Sequence, residues 1–130
     1  MVEKQQVVIY GGIKMKITID GLPPNINKYI SRTNIFEYQK EKKAYHKLVK
    51  LSTIGLNPNY KRVDMKVTYH FPDRRIRDTH NMTKCLLDGL VDAGIIIDDN
   101  YMVLRNYTEC GIYDKGQRYV EIEIKEVEYE

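Results

Sequence analysis

The segment that leaves the fewest folding options lies between Asp78 and Asp99. Met82, Leu86, Leu90 and Ala93 recur at helical spacing, while Asn81, Lys84 and Asp88 fall on the other side. The pattern predicts a helix from about His80 to Ala93. Gly94 follows, where a helix ends best on a residue tolerant of left-handed backbone. A helix with one apolar stripe must bury it against another layer, and the flanking segments supply strands. Val63 to Phe71 alternates through Val63, Met65, Val67 and Tyr69, and Pro72 closes it. Met102 to Tyr113 and Gln117 to Val127 read as two further strands joined by a turn at Asp114-Lys115-Gly116. In the second, Val120, Ile122 and Ile124 alternate with Tyr119, Glu121, Glu123 and Lys125.

The N-terminal half reads the same way. Residues 1–5 are expected to fray, Gln6 to Tyr10 to form a short strand closed by Gly11-Gly12, and Lys14 to Asp20 to form a half-buried strand. Gly21-Leu22-Pro23-Pro24-Asn25-Ile26-Asn27 then breaks the pattern. Stiffened by its prolines, it is either a plain connection or a loop that positions groups beside a site. Phe36 to Leu51 reads as a helix whose apolar stripe is Phe36, Ala44, Leu48 and Leu51, with its lysines mostly elsewhere, and Gly55 to Asn59 as a loop. A chain of 130 residues without repeats or linkers predicts one domain over residues 1–130 with a core of its own. The expected class is α+β: a mixed or mainly antiparallel sheet packed with two main helices.

Hydrophobic residues make up 42% and charged residues 30%, as in ordinary soluble globular proteins. A net charge of +3 does not announce a polyanionic partner, but the distribution is uneven. Bases outnumber acids from Lys28 to Arg62, whereas the chain closes on Glu121, Glu123, Glu126, Glu128 and Glu130. A basic half suggests a polyanion-facing surface, with a solvated charged helix face as the equal alternative. Cys85 and Cys110 lack metal-ligand spacing, the N-terminus is polar, and Val7 to Tyr10 is too short for a leader or a membrane span. The expectation is a cytoplasmic protein with reduced thiols and no membrane partner.

Around the central helix the charges accumulate: Arg74, Arg75, Arg77, Asp78, His80, Lys84, Asp88, Asp98 and Asp99. Taken singly, each has a structural reading. Asp78 suits a helix cap, Lys84 and Asp88 an exposed i,i+4 pair, and Asp98-Asp99-Asn100 a turn. Taken together they read as a site. Carboxylates gathered around one lysine repel each other unless a cation sits between them. Oxygen-rich sets favour hard divalent ions such as Mg²⁺ or Mn²⁺. Such ions activate water at a phosphodiester, and a lysine adds positive charge where negative charge accumulates. Spacing alone does not choose between Asp98 and Asp99.

Arg77-Asp78-x-x-Asn81-x-x-Lys84, followed by Asp88-Gly89-Leu90-x-x-Ala93-Gly94 and Asp98-Asp99, resembles the RusA family of Holliday-junction endodeoxyribonucleases. The Pro23-Pro24-x-x-Asn27 loop is similar to that family's N-terminal loop, and the likeness runs from about Lys14 to Val127. It implies a Mg²⁺-dependent homodimer, often of phage or prophage origin, that nicks four-way DNA junctions symmetrically. It places catalytic aspartates at Asp78, at the position now held by His80, and at Asp99. The essential lysine falls at Lys84, with Asp88 as support or a further metal ligand. The family pattern Asp-x-Asp-Asn reads Asp-Thr-His-Asn in this chain. An imidazole ligates Mn²⁺ more readily than Mg²⁺. His80 is therefore either a ligand that shifts metal preference or a tolerated neighbour of a site held by the aspartates.

In this reading Arg74, Arg75 and Arg77 hold phosphates beside the cleavage point, and Lys40, Lys42, Lys43, Lys47 and Lys50 track a duplex arm. The eleven tyrosines, with no tryptophan, offer rings for base stacking or for core packing. Two rivals remain: a non-catalytic junction-binding protein with a degenerate metal site, and a metal-dependent hydrolase of small phosphorylated substrates.

Overall fold

A computed structural model describes residues 8–10, 14–25 and 35–127. Residues 1–7, Gly11-Gly12, Ile26, Asn27, Lys28 and Arg32 lie outside them, and with them parts of the first expected strand and of the proline loop. The elements are β1 (Val8–Tyr10), β2 (Lys14–Ile19), α1 (Ile35–Ser52), β3 (Val63–Phe71), α2 (His80–Asp92), β4 (Leu104–Tyr113) and β5 (Tyr119–Glu126). This is the expected α+β arrangement. The five strands form one mixed sheet in the order β1-β2-β5-β3-β4. β2–β5 and β5–β3 run antiparallel and β3–β4 parallel.

The parallel pair has a direct cause. α2 carries the chain from the end of β3 back to the start of β4, so β3-α2-β4 is a crossover unit rather than a hairpin. The turn after β4 exists, and Gly116 there adopts φ +76°. The strands it joins do not pair with each other. β5 passes to the other side of β3.

Alternation sorts the sheet into two faces. Met15, Ile17, Ile19, Val63, Met65, Val67, Tyr69, Val120, Ile122 and Ile124 are buried in the core, which also contains Leu86, Leu90 and Val49 from the helices. The opposite face carries Lys16, Glu121, Glu123, Lys66 and His70. His70 is buried there: its Nδ1 lies 2.9 Å from Asp114 and its Nε2 2.7 Å from Glu121, with the ring stacked on Tyr119 at 3.9 Å. α1 differs from its expected stripe. Phe36, Ala44 and Leu51 are exposed, Leu48 is half-buried, and Tyr38, Tyr45 and Val49 face inward. Tyrosine suits this boundary because its ring buries while its hydroxyl finds a partner; Tyr45 donates to the Gly21 carbonyl at 3.0 Å.

Two glycines fix α2 in place. Gly89 faces α1, where a Cβ would stand 3.2 Å from Val49 and 3.3 Å from His46. Gly94 ends the helix at φ +78°. Its N–H bonds Val91 O and that of Ile95 bonds Leu90 O, the paired bonds of a Schellman motif. Asn59 N–H then bonds Gly94 O and Tyr60 N–H bonds Ile95 O, which pins the segment leading to Asp99.

Candidate active site

Lys84 lies one turn along α2 from His80 and one turn before Asp88, so the three share a helix face. The Lys84 ammonium is held 3.1 Å from Asp88 Oδ1 and 3.1 Å from Asp99 Oδ2. The hydrogen bonds it donates to Asp99, then to Asp88, raise its pKa, so it remains charged. Burial opposes ionisation of Asp88, but hydrogen bonds from Lys84 and from Lys42 at 3.2 Å prevail and hold its carboxyl below the usual range. The two adjacent aspartates separate by role. Asp99 turns to Lys84, whereas Asp98 accepts from the Asp99 N–H at 2.8 Å and from Asn100 at 3.0 Å within its own turn.

This group lines a groove of about 810 Å³ between α1 and the segment after α2. Lys42, Lys43, Lys47 and Lys50 form its other wall, and Lys50 pairs with Asp92 at 3.2 Å. Lys40 is exposed on α1 outside the groove. The groove therefore offers cations and acids facing one another.

A second group surrounds the start of α2. Asp78 is exposed; one oxygen accepts the His80 N–H at 3.1 Å and the other the Asn81 carboxamide at 3.1 Å. It thus shapes the first turn, as the structural reading of an aspartate there requires. Thr79, the N-cap residue, makes no side-chain cap bond. Its hydroxyl donates instead to Glu109 on β4 at 2.7 Å. Glu109 also accepts from Thr83 at 2.5 Å and Tyr107 at 2.9 Å, and Tyr69 lies 2.8 Å from the Thr83 hydroxyl. Burial works against the Glu109 charge, but these three donors, with His80 nearby, hold its pKa below the usual value. The sequence reading passed over Glu109. Nothing in the sequence marks it, because only the crossover brings this β4 acid opposite Thr79 and Thr83.

The arginines are arranged by Asp73. It accepts the Arg75 N–H at 3.0 Å and both terminal nitrogens of Arg77, at 2.7 and 3.3 Å. The hydrogen bond from Arg77, then that from Arg75, holds its carboxyl far below the usual range. Arg77 also lies 4.8 Å over the Phe71 ring, and Arg74 sits 4.4 Å over Tyr113. Arg74 and Arg75 remain exposed, while Arg77 is mostly enclosed.

The structure thus brings Lys84, Asp88 and Asp99 together and gathers Asp78, His80 and Glu109 around the helix start. Among the described residues, no three histidine, cysteine, aspartate or glutamate side chains converge as a ready-made metal cage. Carboxylates presented singly or in pairs match a different donor pattern. Mg²⁺ keeps much of its water and is commonly held through one or two carboxylates plus substrate phosphates. Cys85 is a buried free thiol, pushed up to about 12 by burial, and Cys110 is an exposed one. Among the described residues, no helix is long and apolar enough to cross a membrane.

Residues 20–125 match the family model described as Endodeoxyribonuclease RusA. A protein of Enterobacteria phage 82 called crossover junction endodeoxyribonuclease rusA is 33% identical over 86 residues, covering 62% of this chain and 71% of that protein. A protein of the same description from Enterobacteria phage HK97 is 33% identical over 82 residues, covering 59% and 68%.

Proposed function

Because the chain belongs to the RusA endodeoxyribonuclease family, we propose that it is a crossover-junction endonuclease that resolves four-way DNA by paired phosphodiester cleavage. The observation that carries this reading is Lys84, a raised-pKa ammonium held between Asp88 and Asp99 on the wall of a lysine-lined groove. A duplex arm following that groove would meet Lys43, Lys47 and Lys50 on one side and the acids on the other. Contacts of this kind read backbone and shape.

Asp78 and Asp99 are the carboxylates assigned to Mg²⁺ or Mn²⁺. His80 next to Asp78 brings a nitrogen donor that suits Mn²⁺ better, and Asp88 holds Lys84 in place. When bound, the ion supplies an activated water and charge neutralisation at the scissile phosphate. Lys84 contributes the second positive charge, fixed before substrate arrives, so little reorganisation accompanies the developing negative charge. One site cuts one strand. Symmetrical cleavage therefore calls for a twofold homodimer.

His80, standing where the family pattern has an aspartate, favours one rival, a junction-binding protein without catalysis. A labelled four-way junction incubated with wild type, Asp78→Asn and Asp99→Asn, in Mg²⁺ and in Mn²⁺, separates the two. Paired nicks from wild type that vanish in both variants while binding persists are expected, with Mn²⁺ the better ion. Metal-supplemented wild type that binds the junction and never nicks it establishes the rival.

A further inference from the structure

The loop between β3 and α2 is braced by Asp73, and its tip is apolar. Arg75 and Arg77 are both tied back to Asp73, and Arg77 packs on Phe71. Ile76 between them projects entirely into solvent, with 103% of its reference surface exposed. One exposed isoleucine on an ordinary surface needs no explanation. This one stands on a stiffened turn with arginines on both sides, two residues before Asp78.

Behind it lies a cleft of about 430 Å³. Leu22, Pro23 and Met82 give it apolar walls, Arg75, Arg77 and Arg118 supply guanidiniums, Ile76 forms part of its lining, and Glu41 is the one acid among its described lining residues. Apolar walls ringed by guanidiniums match a ligand with a flat apolar body on an anionic backbone. A nucleobase released from its stack has that chemistry. Apolar wedges that part base steps, next to cations that hold phosphates, are a known means of opening DNA.

Resting on the endonuclease reading, we propose that Ile76 is a specificity-determining wedge. It enters the unstacked centre of a branched junction, and the cleft behind it receives the displaced base. A linear duplex gives Ile76 no open step to enter, so the wedge discriminates by structure while the lysines bind either form.

The test uses a four-way junction with 2-aminopurine at the crossover, whose fluorescence rises on unstacking, in the presence of a chelator so that no strand is cut. Wild type and Ile76→Leu should raise the signal. Ile76→Ala should lose most of the rise and about tenfold of the preference for junction over duplex, the scale of one stacking contact. Affinity for linear duplex should match in all three. Because Ile76 is fully exposed, Ile76→Ala should keep the wild-type fold, and its circular dichroism and urea midpoint check this. An Ile76→Ala signal and junction preference equal to wild type overturn the wedge. So does a wild-type signal that stays flat on a junction the protein nicks once metal is added. A wild type that never nicks the junction removes the endonuclease reading, and the wedge with it.

Discussion

Gly94 shows how much a single residue decides here. Its φ of +78° lies where an L side chain is strained, and a Cβ at that position would be driven into the Asn57 carboxamide oxygen. Gly94→Ala should lower unfolding free energy by about 2 kcal/mol, since the left-handed conformation alone costs roughly 1–2. Urea denaturation measures it, and an unchanged midpoint would mean that the turn relaxes. This role was legible in the sequence because a glycine after an apolar helical stripe has one dominant use. Asp98 and Asp99 were not separable in the same way. Their difference arises from the turn at Asn100, which engages Asp98 locally and leaves Asp99 to Lys84. Ile76 was invisible too, because its exposure depends on the bracing of its neighbours by Asp73.

At the scale of elements, β3 was readable to its end residues, because strict alternation followed by proline admits few alternatives. The stripe of α1 was misassigned for a physical reason. Strongly apolar residues were given the core, whereas the helix buries two tyrosines and a valine and leaves Phe36 80% exposed. The joint between α2 and β4 was beyond the sequence, since it depends on the crossover setting Glu109 opposite Thr79 and Thr83. That joint has a pH signature. Glu109 in the joint is held below its ordinary value in the folded state, as are Asp88 and Glu121 elsewhere in the molecule. For a depressed carboxylate, the stabilisation is complete above the unfolded value and disappears as pH falls through the folded one. The urea midpoint should therefore drop as pH falls below about 4.5, the ordinary glutamate value. Glu109→Gln should start from a lower midpoint at neutral pH and lose less in acid. An equal acid loss in both proteins would remove Glu109 from the account.

Over the whole molecule, a net charge of +3 understates the electrostatics, because acids and bases are sorted by position. The α1 lysines and the α2 acids face each other across one groove, so a polyanion entering it exchanges intramolecular pairs such as Lys50–Asp92 for phosphate contacts. Junction affinity should accordingly fall steeply with salt. The double variant Lys43→Ala/Lys47→Ala should reduce the slope of log affinity against log salt by about two, roughly one per phosphate contact. Fluorescence anisotropy over a salt series measures this, and an unaltered slope would place the DNA elsewhere. The class of fold was open to reading from the order of elements. The gathering of carboxylates around Lys84 was open to reading as well, on the condition that the segment after the helix folds back, and the pinning of that segment to Tyr60 meets the condition.

The sheet order carries one more consequence. Among the described residues, β4 stands at an edge and is bonded along one side only, to β3. Backbone held by a single ladder opens before backbone held by two. The brace on the first turn of α2 is therefore anchored to an edge strand. A brief detachment of β4, far short of unfolding, would remove Glu109 from Thr79 and Thr83 at once and loosen the turn that presents Asp78 and His80. The helix start is as firm as the sheet's edge permits, while Lys84, Asp88 and Asp99 keep their mutual contacts without that brace.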